Sequence, residues 1–275
     1  MKIASIHIPG SPSDVTVPVA VESFVDGHGR GHLIPDLWTF AGGHVPEADL
    51  SAYPTVEFTA AELRPVIPNP GKIICVGLNF REHIEEMGHP IPDHPTLFAK
   101  FADSITGPYA EVMVPEHLMD AADYEGELAV VIGDFGEIAG YAIMNDFSQR
   151  DWQYRTQQWL QGKNLFASSG FGPWMVTPDE CDPVERGSML RTWVNGELRQ
   201  EHSMADLVFK PTELVEYIQQ FTPLNRGDVI VCGTPAGVAH GMKSPRYLTD
   251  GDEMRIAIEG IGEISNRVKV IPAEL

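Results

Sequence analysis

Between Asp123 and Asp151 the chain concentrates groups able to do polar chemistry on a small ligand. Glu125 and Glu127 stand two apart at the head of the apolar run 128–132, which reads as a buried strand. A period of two turns both carboxylates to one face, where Glu is a poor strand former and like charges repel. A second apolar segment, 140–144, runs into Asn145 and Asp146 and delivers a third carboxylate. Three carboxylates on neighbouring strand ends form a hard-oxygen site suited to Mg²⁺ or Mn²⁺. On spacing alone, an exposed acidic strand edge with Asp146 in a turn explains the same residues equally well.

Other candidates lie outside this stretch. His83 and Glu86, three apart, are neighbours on a helix. A carboxylate beside an imidazole suits a general base acting on water, although such pairs are more often surface salt links. Lys163 follows Gly162, so it either faces a substrate oxyanion or serves a helix C-terminus. The loop 233–237, with Thr234, either holds a carboxylate through its N–H groups and hydroxyl or is a plain turn.

The elements that must position these groups are mainly strands. Residues 72–77, 140–144 and 229–231 read as strands, and Asn195-Gly196 marks a hairpin between 191–194 and 197–199. A last hairpin is expected around Gly260 and Gly262. Helices are predicted at 79–87, from Ser148 and Asp151 to about Gln161 with Gly162 as its stop, and at 212–221 with Leu214, Val215, Ile218 and Phe221 on one face. Residues 1–70 form a small β-rich N-terminal module closed by Pro65, Pro68 and Pro70, and 71–275 a second, larger domain that carries these groups. His28 and His32, among the glycines 27, 29 and 31, read as exposed histidines of a turn. The whole is mainly β with some α, a rolled or sandwiched mixed sheet.

Composition narrows the partners. The 275 residues, 43% apolar and 21% charged, are those of a soluble globular protein. A net charge of −20 without a basic cluster argues against nucleic acid and anionic membranes, and makes an anionic substrate depend on a local cation. The three scattered cysteines match no zinc spacing, and no signal peptide or membrane-spanning stretch is expected, so the chain reads as cytoplasmic. The stretch Gly237 to Ser244 fails as a phosphate loop because Met242 separates glycine from lysine.

Six ordered motifs then point to a family. Residues 75–83, 123–129, 145–151, 172–174, 194–197 and 233–235, within 70–270, resemble the fumarylacetoacetate hydrolase family. The resemblance implies a mixed β-sandwich roll, a homodimer, and a divalent metal (Mg²⁺ or Mn²⁺) on Glu125, Glu127 and Asp146. It implies a water-activating dyad of His83 and Glu86, charge stabilisation by Lys163, and substrate orientation by Arg150, Gln153 and Thr234. The substrate would be a small anionic 2-oxo acid. The first reading is a hydrolase cleaving a C–C bond of an acylpyruvate or 2,4-dioxo acid. The alternative is a decarboxylase, isomerase or hydratase of oxaloacetate-like or 2-hydroxymuconate-like acids at the same metal. A binding-only descendant would not need both His83 and Glu86. One departure stands out: after Lys163, where many relatives have Gly/Ser-Phe-Asp, this chain has Asn164, Leu165 and Phe166. That predicts either a repacked loop or a pocket less polar on that side. The loop 88–95, with His89 and His94, reads as a lid or as a proline-stiffened surface loop.

Overall fold

The computed structural model describes residues 1–12, 15–38, 49–86 and 90–273, with His83 described in its backbone alone. Two large sheets, a separate two-stranded pairing and a few short helices make up the described residues. The larger, of 12 strands, has at its centre the antiparallel pair Gly126–Ile132 and Ile138–Asn145. Val229–Val231 flanks the first of these, followed by Ile73–Gly77 and Thr96–Lys100. Ser169–Val176 flanks the second. The other sheet has five strands and includes the hairpin of Met189–Val194 and Glu197–Ser203. Asn195 and Gly196 take positive φ (52° and 78°) at its tip, the turn this dipeptide favours. The hairpin Glu253–Ile258 with Gly262–Ile271 lies beside it.

The central strand Gly126–Ile132 is buried on both faces. Leu128, Val130 and Ile132 join Leu190, Ile256 and Ile264 of the smaller sheet in one core, whereas Ala129 and Val131 join Cys75, Val229 and Val231 in another. Alternation thus becomes a continuous apolar run, because both sides of the strand are covered. Helix Pro211–Gln219 closes the first core with Leu214, Val215 and Ile218, each contributing about 1.5–3 kcal/mol of burial. Phe221 does not join them and is 64% exposed: the helix ends at Gln219, so Phe221 turns off the buried stripe.

Two local expectations fail. His28–Leu33 is a strand, hydrogen-bonded to Thr16–Val25 on one side and Thr55–Thr59 on the other. Its glycines serve close packing, since a Cβ at Gly29 would enter the Phe58 ring and one at Gly31 would meet Ala20 and Val19. The long helix from Ser148 is also absent. Ser148–Gln149 pairs with Ala122–Asp123, and the Ser148 hydroxyl donates to the Asp146 carbonyl (2.9 Å) instead of capping. Helix Arg150–Gln153 is a single turn, and a second, Leu160–Lys163, follows separately. Between them the Thr156 hydroxyl both donates to the Gln158 carbonyl (3.0 Å) and accepts its N–H (3.2 Å). Such a side-chain bond competes with the helical ladder.

The N-terminal strands continue the larger sheet, through Lys2–His7 paired with Ser169–Val176. After them, the proline-rich stretch buries Val66 and Ile67, and Ser5 Oγ donates to the Val66 carbonyl (2.8 Å). Among the described residues, no helix is long and apolar enough to cross a membrane.

Candidate metal centre

Register places the carboxylates. Gly126 pairs with Asn145, the Asp146 N–H donates to the Glu125 carbonyl (2.9 Å), and Asn145 Oδ1 accepts the Glu125 N–H (3.0 Å). These bonds hold Glu125, Glu127 and Asp146 at one end of the central pair, all buried, with one oxygen of each within 4.8 Å of the others. The period-two reading therefore holds, and the exposed-edge explanation does not.

Around the trio stand three buried bases. Lys163 Nζ lies 2.6 Å from Glu125 Oε2 and 2.8 Å from Asp146 Oδ2. Lys100 Nζ reaches Asp146 Oδ1 (2.8 Å) and donates to the Lys163 carbonyl. Arg150 binds Glu125 Oε1 (2.7 Å), Asp123 (2.8 Å) and Gln153 Oε1 (3.0 Å), so the one-turn helix does present Arg150 and Gln153 together. Burial alone lowers a lysine's pKa, but the charges of Asp146 and Glu125 raise that of Lys163 above its ordinary value, keeping it an ammonium. Glu127 moves the same way for the opposite reason. Burial first, then Asp146 and Glu125, push its carboxyl well above the carboxylate range. Its Oε2 accepts the Gly233 N–H (2.5 Å).

This donor set fits a divalent cation. Asp123, Glu125, Glu127 and Asp146 outnumber Lys100, Lys163 and Arg150 by one, among the described residues of the cluster. A dication would relieve the carboxylate repulsion and leave a net positive site for an anionic ligand. Carboxylate oxygens select hard ions such as Mg²⁺ or Mn²⁺.

The loop after strand Val229–Val231 binds acids, but they are the protein's own. Gly233 N–H serves Glu127, Gly237 N–H serves Glu86 (3.3 Å), and the N–H groups of Ala239 and His240 serve Asp123 (2.9 and 3.0 Å). Thr234 donates to the Gly126 carbonyl (3.0 Å) and accepts from Gln200 (2.8 Å). Helix Arg81–Glu86 is tied to this loop through Glu86; the side chain of its companion His83 lies outside the described residues. So does His89 of the expected lid, while His94 stacks on Tyr217 (6.0 Å between rings).

Glu125, Glu127, Lys163, Arg150, Gln153 and Thr234 all line one cavity of ≈ 260 Å³. Pockets for drug-sized ligands run from about 300 Å³ upward, so this one suits a small acid. Its apolar wall is Val76, Leu78, Phe98, Trp159 and Val238. It does not come from the unusual stretch after Lys163: Asn164 staples that loop to the strand before it through Phe101 N–H (2.6 Å) and the Ala99 carbonyl (3.1 Å), and Phe166 is 69% exposed. Lys100, Asp123, Trp159 and His240 escaped sequence reasoning as site residues. Only Lys100 left a signal, a lysine closing the apolar run 97–99.

Gly162 precedes Lys163 for a steric reason, since a Cβ there would lie 2.5 Å from the backbone and Cβ of Gln153. We expect Gly162→Ala to part the two one-turn helices. It should cost about 1–3 kcal/mol in urea unfolding and weaken Mg²⁺ binding. Unchanged metal affinity would detach this packing from the site.

Comparison with known proteins agrees with this geometry. The family model of the fumarylacetoacetate hydrolase C-terminal domain matches residues 72–269. The chain is 41% identical over 234 residues to the human mitochondrial oxaloacetate tautomerase FAHD2A, covering 80% of this chain and 73% of that protein. Among solved structures, it is similar to the fumarylacetoacetate hydrolase of psychrophilic Exiguobacterium antarcticum, with TM-score 0.84, 33% identity, and 98% and 100% of the two chains covered. The 5-carboxymethyl-2-hydroxymuconate delta-isomerase of Mycobacterium smegmatis gives TM-score 0.79 and 30% identity, with 98% and 100% covered. A mostly β enzyme fold with an acidic centre that can hold a divalent metal is thus the class that fold and site define. The chain belongs to the fumarylacetoacetate hydrolase family.

Proposed function

We propose that this protein is a divalent-metal-dependent isomerase that interconverts the enol and keto forms of a small 2-oxo acid of the oxaloacetate type. The observation that carries the reading is the buried carboxylate trio, within 4.8 Å, of which Glu125 and Glu127 line a cavity sized for a small acid. The similarity to an oxaloacetate tautomerase supports enol–keto chemistry over hydrolysis. Glu125, Glu127 and Asp146 would hold the ion, which when bound supplies Lewis-acid polarisation of a substrate oxygen.

The chain's own residues account for the rest. In the enol-to-keto direction a proton leaves the C2 hydroxyl oxygen and one is added at C3; no water enters and no C–C bond breaks. The Lys163 ammonium favours negative charge on the C2 oxygen as its proton departs. Trp159, Phe98 and Leu78 give the cavity apolar walls that would disfavour bulk water beside the reacting carbons. His83, beside Glu86 on the helix anchored at Gly237, is the candidate carrier of the C3 proton. The protein would work as a homodimer in the cytoplasm, as the resemblance and composition imply.

A second reading, C–C hydrolysis of an acylpyruvate, draws on the same dyad and on similarity to the Exiguobacterium hydrolase. Proton NMR separates them. With Mg²⁺, the first predicts accelerated enol–keto interconversion of oxaloacetate and no acetate from acetylpyruvate. Rapid release of acetate from acetylpyruvate, with no acceleration of oxaloacetate interconversion, would replace it with the second.

A further inference from the structure

One wall of the cavity has polar groups that the chelation of a 2-oxo acid does not use. A 2-oxo acid held at the trio through its C1 carboxylate and C2 oxygen must send its far end toward a wall. Toward Phe98, Trp159 and Val238 it would meet only apolar surface. The polar lining that could meet it includes Arg150, Gln153, Tyr154 and His240. The Arg150 guanidinium is already shared among Asp123, Glu125 and Gln153. His240 is differently placed. Its backbone N–H is fixed on Asp123 (3.0 Å), its Nδ1 lies 2.9 Å from the Tyr247 hydroxyl, and its ring is stacked between Tyr154 (5.0 Å, 22°) and Tyr247 (6.4 Å, 24°). In the tautomer in which the Tyr247 hydroxyl donates to Nδ1, the ring proton is on Nε2, which has no partner among the described residues. Backbone, hydroxyl and stacked rings together hold that donor in one orientation at the cavity wall.

We propose that His240 is a specificity-determining residue that receives the distal carboxylate of a 2-oxo dicarboxylate through Nε2–H, an inference that rests on the metal-chelation reading above. The site then selects four-carbon diacids over 2-oxo acids with an apolar tail. A hydrogen bond to a charged group, held in place beforehand, is worth about tenfold or more in affinity.

The test uses two probes of equal chain length, oxaloacetate and 2-oxobutyrate, the second lacking the distal carboxylate. Their binding to the Mg²⁺-loaded protein is read by calorimetry, and C3 proton exchange in D₂O by NMR. The wild type should favour oxaloacetate, and His240→Phe, which keeps a stacked ring, should reduce that preference about tenfold, mainly through affinity. His240→Gln, which restores a donor, should recover part of it, and Tyr247→Phe, which releases the ring tautomer, should lose part. A preference unchanged in His240→Phe, or equal losses for both probes, overturns the assignment. Should His240→Phe fail to fold, the Gln and Tyr247 variants decide by the same ratio. A His240-dependent preference in binding without C3 exchange would refute the isomerase reading and leave this inference standing. Exchange without such a preference would do the reverse.

Discussion

Glu127→Gln should lose Mg²⁺ binding and at least about a thousandfold of the metal-dependent activity, yet melt no lower than the wild type when both are metal-free. The loss of rate corresponds to about 4 kcal/mol of transition-state stabilisation, within what a bound Lewis acid supplies. The unchanged or raised stability follows from electrostatics. Glu127 is buried against Asp146 and Glu125, and its folded pKa lies above its unfolded one. The folded protein therefore keeps a proton at pH values where the unfolded chain has released it. Stability falls as pH rises above the ordinary carboxylate range, up to the folded pKa. Glutamine removes that liability and keeps an acceptor for the Gly233 N–H (2.5 Å). The variant's advantage should thus widen with pH in metal-free thermal melts. A variant that still gains stability from Mg²⁺, or that melts lower at every pH, would contradict this account.

Lys100→Met should destabilise the metal-free protein by about 3–5 kcal/mol, a large part of the about 5–15 kcal/mol a domain possesses. The side chains of Lys100 and Asp146 are both fully buried and 2.8 Å apart, so removing the ammonium strands Asp146 Oδ1 and leaves only Lys163, shared with Glu125, to offset the charge. Combining Lys100→Met with Asp146→Asn should recover most of the loss, because the stranded charge goes with it. Urea unfolding of the single and double variants measures this directly. A loss below about 1 kcal/mol would give the pair no more weight than an exposed ion pair has.

The parts of this molecule legible in its sequence are those set by local rules. Alternation fixed Glu125 and Glu127 on one side of the strand Gly126–Ile132, and the Asn195-Gly196 turn placed its hairpin. The helix expected from Ser148 breaks after Gln153, and the Thr156 side chain bonds Gln158 before the next turn, of which the pattern of apolar residues carries no trace. The bases and amides around the trio were hidden for another reason. Asp123 finds the Ala239 and His240 N–H groups 116 and 117 residues away, and Lys163 finds Glu125 at 38. Only the folded sheet order brings them together. The reaction was harder still to read, since chelation of a 2-oxo acid serves hydrolysis and isomerisation alike.

The most direct test of the central claim is a crystal of the protein grown with Mn²⁺ and examined by anomalous scattering. One strong peak should lie within bonding distance of an oxygen from each of Glu125, Glu127 and Asp146, and vanish in Glu127→Gln. A peak elsewhere, or no peak in a crystal saturated with the ion, would contradict it.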